Sequence, residues 1–390
     1  MTANTFCPHA FNALEVSTIG KFKPCCISSR IFKDDNNVDF FASKSSIVDV
    51  YNSSDRKDFI NNFDEYFPTE CSQCYQVEAS GGESKRLREI KYWELYYDGI
   101  ENVPKFTRDQ NLEVLDLKLG NTCNLACATC DSHSSTKWNS LFKEFTGEFE
   151  TVVTRWQDDD KFWDDLVLNL SNIKKIELAG GEPFLNKKQK IMLKYLVDND
   201  LAKDIDIAWI TNCTQYDEEV ISLFKHFKLV RVMISLDNTG KQFEYMRYPA
   251  IWDDSYNIFL KFVELKNSNL IELGISHTIS LLNIYHLPEM WEFARKHQVM
   301  LFNNLVMWPF HCRNLPVDFK QTVKARLEAV TDSSYQLNPA NGKNTWLVEF
   351  MLQSNENDSI MERMKAHLRF VNRTRQDLFE AAFPELIGIV

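Results

Sequence analysis

The chain of 390 residues is notable first for what it is short of. It has no segment of low complexity and no apolar run long enough to span a bilayer, so neither a disordered array nor a membrane-spanning protein is expected. Its first residues, Met1-Thr2-Ala3-Asn4-Thr5-Phe6, carry neither a basic segment nor an apolar h-region, so no secretory signal is expected. Positive charge is scarce: 44 Lys and Arg stand against 55 Asp and Glu, a formal net charge of −11. That balance speaks against broad electrostatic binding to nucleic acid or an anionic membrane and leaves room only for a local basic groove. Cysteine is missing after Cys312, so no thiol site can be built from the C-terminal tail alone.

Hydrophobic residues make up 44% of the chain, enough for a sizeable core. The length allows two or three domains, or one large barrel with extensions. Ten cysteines without export point to reduced thiols and metal ligation in a cytoplasmic protein rather than to disulfides.

One stretch organises the rest. Cys123, Cys127 and Cys130 stand at C-x3-C-x2-C spacing directly after the alternating run Leu112-Glu113-Val114-Leu115-Asp116-Leu117-Lys118-Leu119. The run reads as a strand and the cysteines as the loop leaving its C-terminal end. Three thiolates are one short of the four that close an iron–sulfur cube or a structural zinc site, which leaves a metal position open for a small ligand. The same spacing also fits a structural metal knuckle or three buried thiols.

From residue 112 onward, strand and helix alternate. Strands are expected at 112–119, 175–179, 205–211, 229–235, near 271–280 and near 299–308, with helices at 186–199, 216–227, 251–266 and 286–297. A helical, acidic insertion fills about 133–170. Six β/α units of this kind predict an α/β fold, a parallel sheet curled into a partial (β/α)6 barrel, with all strand C-termini on one rim. The conspicuous motifs fall at strand C-termini: Gly180-Gly181-Glu182-Pro183, Thr211-Asn212-Cys213 and Ser235-Leu236-Asp237. The two glycines let backbone approach a ligand closely, and Glu182 can accept from an ammonium group. The segment equally fits a tight strand-to-helix turn with Pro183 near the helix start. Ser235 and Asp237 suit ribose hydroxyls or a capped loop, and Arg247 suits a carboxylate or a surface ion pair.

Taken together, these motifs resemble the radical S-adenosylmethionine (radical SAM) superfamily over about residues 105–312. The resemblance implies that Cys123, Cys127 and Cys130 hold three irons of a [4Fe–4S] cluster, the fourth being chelated by SAM. Gly180, Gly181 and Glu182 then bind the SAM amino group, Asn212, Ser235 and Asp237 sit at SAM-binding positions, and Arg247 pairs with the methionyl carboxylate. Thr129 stands where the family usually has an aromatic residue near the adenine, and Cys213 where a glycine is common. The implied chemistry is reductive cleavage of SAM to methionine and a 5′-deoxyadenosyl radical that takes hydrogen from a substrate. The electron is expected from a flavodoxin- or ferredoxin-like donor.

The first 105 residues carry a second cysteine set. Residues 11–16 and 21–26 read as hairpin arms joined at Ser17-Thr18-Ile19-Gly20, bringing Cys7 close to Cys25, and Cys71-Ser72-Gln73-Cys74 adds a C-x2-C pair. Gly20 followed by Cys25 resembles the G-x4-C element of SPASM and twitch domains, although those normally follow the core. The resemblance implies an auxiliary [4Fe–4S] cluster on Cys7, Cys25, Cys71 and Cys74, with structural zinc as the competing occupant. Cys26 is the alternate ligand to Cys25, less favoured because adjacent strand residues point to opposite faces.

Ser80-Gly81-Gly82-Glu83-Ser84 reads as a hinge before a helix at 84–98 with Leu87, Ile90, Trp93 and Tyr97 on its docking face. Lys85, Arg86, Arg88 and Lys91 are expected on a solvated face, with acidic-substrate binding as the minor reading. His277 shares a strand face with Ile279, while Thr278 and Ser280 share the other; His277, His311 and Cys312 are substrate-cavity candidates. Residues 316–331, 344–354 and 358–382 read as helices, and the apolar end 383–390 as a tuck against the barrel or a partner. Three regions follow: 1–105 auxiliary-cluster region, 106–312 radical SAM core, 313–390 helical C-terminal extension. The favoured function is peptide or protein modification. A small-molecule oxidase or epimerase acting on a sugar or alcohol is the alternative, and a non-catalytic metal module the third reading.

Overall fold

The structure is a computed structural model; it describes residues 5–63, 67–79, 82–99, 106–107, 110–151, 155–306, 310–330, 345–353, 358–375 and 378–389. Eight strands, β1 (Ala13–Val16), β2 (Phe22–Lys23), β3 (Val114–Lys118), β4 (Lys175–Ala179), β5 (Asp206–Thr211), β6 (Leu229–Ser235), β7 (Glu272–Ile279) and β8 (Met300–Leu305), form one open sheet in the order β2-β1-β3-β4-β5-β6-β7-β8. It is mostly parallel, with β1/β2 the antiparallel exception. The six strands expected from the sequence are β3 to β8, each within a few residues of its expected span. The expected strand end at Met307, Trp308 and Pro309, and the Ser80-Gly81 part of the expected hinge, lie outside the described residues.

Among the described residues, five helices precede β3: α1 (Pro8–Asn12), α2 (Ile47–Tyr51), α3 (Ser54–Asn62), α4 (Ser72–Ala79) and α5 (Lys85–Tyr96). Proline at the first turn of α1 suits a position whose missing N–H is harmless, so residues 11 and 12 end a helix instead of starting a strand. The expected hairpin then forms from what remains, with Glu15 opposite Lys23 and Val16 opposite Phe22. Its first strand also pairs in parallel with β3, Ala13 beside Val114 through Val16 beside Leu117. The N-terminal region thus contributes strands to the sheet itself.

Between β3 and β4 stand α6 (Thr136–Thr146) and α7 (Asp160–Leu168), followed by α8 (Gln189–Asp198), α9 (Glu218–Leu223), α10 (Gly240–Met246), α11 (Trp252–Asn267) and α12 (Leu287–His297) between later strands. Side-chain caps fix several starts: Ser135 accepts from Lys137 and Trp138 N–H at α6, and Asp217 from Glu219 and Val220 N–H at α9. Among the described residues, four more helices follow β8: α13 (Val317–Val330), α14 (Thr345–Leu352), α15 (Asp358–Arg375) and α16 (Leu378–Ala382).

The chain divides into two compact units. One comprises Met1–Thr122, Val152–Trp209 and Asp217–Val230; the other comprises Cys123–Thr151, Ile210–Tyr216 and Arg231–Val390.

In the first unit the two faces of the sheet differ sharply. Leu115, Leu117, Ile176, Leu178, Ile207 and Trp209 alternate onto a fully buried apolar face, with Trp209 against Phe184 and Phe224. The register places Asp116 beside Glu177 and Glu15, and Lys175 beside Asp206, on the opposite face. Helix α5 covers that charged face. Lys175 meets Glu89 at 2.9 Å, Lys85 meets Glu177 at 2.7 Å, and the Tyr92 hydroxyl donates to Asp206 at 2.9 Å. Spacing of i, i+4, i+7 from Lys85 through Glu89 to Tyr92 makes this one helix stripe. The solvated face expected for Lys85, Arg86, Arg88 and Lys91 therefore holds for exposed Lys91 and fails for Lys85 and Arg86. The sheet opposite is itself charged, so burying cations there satisfies carboxylates that would otherwise be unpaired.

In the second unit, Leu273, Ile275, His277 and Ile279 of β7 form the buried row, and Glu272, Ser276 and Thr278 the half-exposed one. The His277 ring bonds Asn303 at 3.0 Å and the Asp237 carbonyl at 3.1 Å, so it is a satisfied core histidine. Ser235 pairs with Ser276 in register on the half-exposed face, where Asn304 donates to the Ser276 hydroxyl at 3.0 Å. Gly274 has room for no side chain: a Cβ there would lie 2.9 Å from the Met233 sulfur and 3.0 Å from the Phe302 ring. His311 is buried and accepts from the Arg313 N–H as a cap. The apolar C-terminal end packs inward, Phe383 meeting the Tyr245 ring edge-on at 5.3 Å.

Candidate functional site

The cysteine loop leaves the end of β3 through Leu119, Gly120, Asn121 and Thr122. Its own backbone is pinned from several sides. Ala126 and Ala128 N–H donate to the Tyr248 and Met246 carbonyls, both at 2.7 Å. The Trp138 indole donates to the Cys127 carbonyl at 2.8 Å, and the Ser135 hydroxyl donates to the Leu125 carbonyl. Arg375, buried at the end of α15, donates to the Ala126 carbonyl and, at 2.7 Å, to the Tyr245 carbonyl. Buried Leu125, Ala126 and Ala128 alternate with the thiols and anchor the turn. Trp138, Ser135 and Arg375 were not legible as site residues. Arg375 lies 245 positions after Cys130 in a helix of ordinary composition, and only the N-cap pattern before α6 hinted at Ser135.

The thiols sit close enough to influence one another. Burial pushes the Cys130 thiol well above its ordinary value, and Cys127, Asp131 and Cys123 push it further. Burial also raises Cys127, against the pull of Arg247. Half-buried and mutually repelling as anions, these sulfurs suit a cationic metal centre that takes them as thiolates. The Asn212 amide approaches the Cys123 sulfur at 3.7 Å and the Asn124 side-chain oxygen at 3.1 Å, and Asn124 donates to Thr214 at 2.8 Å. Cys213 adopts φ +62°, the left-handed region that favours glycine, which accounts for the glycine expected at that position.

Asp237 is fully buried. One carboxylate oxygen lies 2.8 Å from Arg247 and the other accepts the Thr278 N–H at 3.0 Å. Arg247 also reaches the Cys127 sulfur at 3.8 Å, while its buried Nε has no hydrogen-bond partner among the described residues. The pair therefore links the loop after β6 to the cysteine loop, and Asp237 is engaged by protein on both oxygens.

The GGEP segment follows β4. Gly181 N–H donates to the Gly120 carbonyl at 2.9 Å and Glu182 N–H to the Thr122 carbonyl at 2.8 Å. A Cβ on Gly181 would fall 2.1 Å from the Thr122 carbonyl oxygen, and one on Gly180, at φ +130°, 2.7 Å from the Leu119 nitrogen. Only glycine lets these two backbones touch. Glu182, 2 % exposed, caps the Pro183–Leu185 turn through the Phe184 N–H at 3.1 Å. Gln157 and Trp156 of the insertion press against Gly120 and Gly20, so Gly20 has a packing reason of its own.

In the N-terminal region, Cys7, Cys25, Cys71 and Cys74 line a single cavity. Cys7 caps α1, Cys25 follows β2, and a tight turn (Thr69–Cys71) running into α4 sets Cys71 and Cys74 one turn apart. Burial pushes the Cys7 thiol up to about 12, with Cys71 and Cys74 adding to it; burial and then Cys74 raise Cys71 to about 12. Cys26 points elsewhere, its sulfur accepting from the Lys85 ammonium at 3.3 Å. Among the described residues no three His, Cys, Asp or Glu side chains converge as the ligands of one ion do. Thiols that bind the separate irons of a cube surround it and do not meet at a point. His9, Lys85, Arg86 and Glu89 supply the charged part of the cavity wall.

Residues 117–296 match the radical SAM superfamily. An uncharacterised protein of Methanocaldococcus jannaschii is 29% identical over 181 residues, 45% of this chain and 56% of its own. A GTP 3′,8-cyclase of Nautilia profundicola is 29% identical over 137 residues, 35% of this chain and 38% of its own. The chain thus spans little more than half, at most, of these two relatives' lengths. A solved structure of anSMEcpe with bound AdoMet is 17% identical, with TM-score 0.42, covering 60% of this chain and 61% of that one.

Proposed function

We propose, starting from the radical SAM superfamily domain at residues 117–296, that the chain is a radical SAM enzyme acting on a peptide or protein and carrying a second iron–sulfur centre in its N-terminal region. Cys123, Cys127 and Cys130 would hold a [4Fe–4S] cluster, with SAM completing it. When bound, the two supply an electron and a hydrogen-abstracting carbon. The chain's own part is positional. Trp138, Ser135, Arg375 and the 246–248 backbone hold the cysteine loop in one shape, so that the thiols need not reorganise around the metal. The glycine pair and Glu182 offer backbone and a carboxylate to an ammonium group, and Arg247 Nε, which has no hydrogen-bond partner among the described residues, offers a donor to a carboxylate. The six units carrying β3 to β8 are read as the partial barrel, and a flavodoxin- or ferredoxin-like protein as the reductant.

The observation that carries this reading is the cysteine loop, whose backbone is tied to Tyr248, Met246, Trp138, Ser135 and Arg375 while its three half-buried thiols remain together. Its test is release of 5′-deoxyadenosine by anaerobically reconstituted protein. Cys7, Cys25, Cys71 and Cys74 would hold the auxiliary cluster, and iron analysis decides it: about eight irons per chain support two clusters, whereas about four irons and one zinc replace the second with a structural ion. One observation favours a small-molecule substrate: one relative is named a GTP 3′,8-cyclase and another a "Probable GTP 3′,8-cyclase". Stimulation of 5′-deoxyadenosine release by GTP and not by peptides would select that reading.

A further inference from the structure

Lys85, the first residue of α5, touches two places at once. It lines the four-thiol cavity, and its ammonium lies 2.7 Å from Glu177 and 3.6 Å from Asp116 on the charged face of the sheet. The same ammonium is 3.3 Å from the sulfur of Cys26, the neighbour in sequence of Cys25. The side chain is only 12 % exposed, so water screens these charges weakly. Glu177 continues to Lys175 at 2.8 Å, and Lys175 to Glu89, which returns to the cavity wall.

We propose that Lys85 sets the reduction potential of an iron–sulfur centre held by Cys7, Cys25, Cys71 and Cys74, with Glu177 as its opposing charge. This rests on reading that cavity as the auxiliary cluster. The redox step adds one electron to the oxidised centre and moves no atom. The reduced centre carries one more negative charge, so a nearby buried cation favours it and a nearby buried carboxylate disfavours it. The potential of such a centre follows local net charge and hydrogen bonding around its sulfurs. Lys85 and Glu177 act with opposite sign from adjacent positions. A purely structural role, in which Lys85 only neutralises Asp116 and Glu177, predicts that damaging either partner loosens the region in the same way.

The test is an EPR-monitored potentiometric titration of the full chain with Cys123, Cys127 and Cys130 changed to Ala, so that only the auxiliary signal remains. In that background K85M is expected to move the midpoint to lower potential, E177Q to raise it, and K85R to stay near the parent. Shifts of one sign in K85M and E177Q, or no shift in either, overturn the proposal. Should K85M fail to retain iron, E177Q alone reads the sign, and a null or downward shift there is equally fatal. A parent that binds no iron after reconstitution removes the auxiliary cluster itself, and this proposal with it. A normal signal that ignores both substitutions removes only the role of Lys85.

Discussion

Replacing Gly181 with alanine adds a single methyl group where the structure has no room. The new carbon would sit 2.1 Å from the Thr122 carbonyl oxygen, 2.5 Å from its carbon and 2.8 Å from the Asn121 carbon. All three are backbone atoms of the short link that ends in Cys123, so no side chain can swing aside. The GGEP segment must move off that link, breaking the 2.9 Å bond from Gly181 N–H to Gly120 and the 2.8 Å bond from Glu182 N–H to Thr122. Two such bonds contribute about 0.5–1.5 kcal/mol each, and overpacking adds about 1–3 kcal/mol, a total of about 2–6 kcal/mol. For a cooperative unit of this size that lowers Tm by at least about 4 °C. Since the displaced segment is proposed to bind SAM, affinity measured by anaerobic calorimetry should fall at least about tenfold, or about 1.4 kcal/mol. The control is G147A: Gly147, unlike Gly181, has positive φ, +87°, but nothing lies within 4 Å of its Cβ position. It should cost about 1 kcal/mol and leave SAM affinity alone. Wild-type stability and affinity in G181A would refute the cradle.

Two further expectations follow from buried charge. R375M leaves the Ala126 and Tyr245 carbonyls without a donor they now have, so stability should fall by about 2–5 kcal/mol in urea unfolding, and iron loading of the three-cysteine site should fall with it; unchanged iron content would show that the loop does not need this clamp. Burial by itself would raise the Glu89 and Glu177 carboxyls, but Lys175 first, with His9 beside Glu89 and Lys85 beside Glu177, holds both well below the usual carboxylate range. A depressed folded value means that their stabilisation is complete above the ordinary glutamate range and drains as pH falls below it. Urea midpoints measured between neutral pH and about pH 3 should drop on the acid side, and E89Q should flatten that limb; an E89Q profile parallel to wild type would exclude the network as the cause.

Much of the sheet was legible because β3 to β8 are short, largely apolar runs separated by helical stretches, and those runs fold where they read as strands. The cysteine loop, the glycine pair and the 211–213 and 235–237 segments were legible for the same reason, as each directly follows a strand. What escaped was long-range or depended on the opposite surface. The pairing of β1 with β3 joins residues about a hundred positions apart, and no local pattern announces it. Helix α5 was read by its apolar residues alone, whereas its buried stripe runs through Lys85 and Glu89. That choice is made by Asp116, Lys175 and Glu177 across from it, and no local pattern pairs them with this helix. His277 sat on an alternating strand whose two faces the sequence could not rank; the buried row of β7 holds it, with Asn303 and the Asp237 carbonyl as partners. Arg375 was out of reach for the same reason as β1, since its partners are carbonyls far away in sequence.

The most direct measurement is SAM turnover by the anaerobically reconstituted full chain, wild type against Cys127→Ala. The account predicts 5′-deoxyadenosine from the wild-type protein under a strong reductant, a change in its cluster spectrum when SAM is added, and neither in the variant. Equal turnover in the two proteins, or a wild-type spectrum indifferent to SAM, would contradict it.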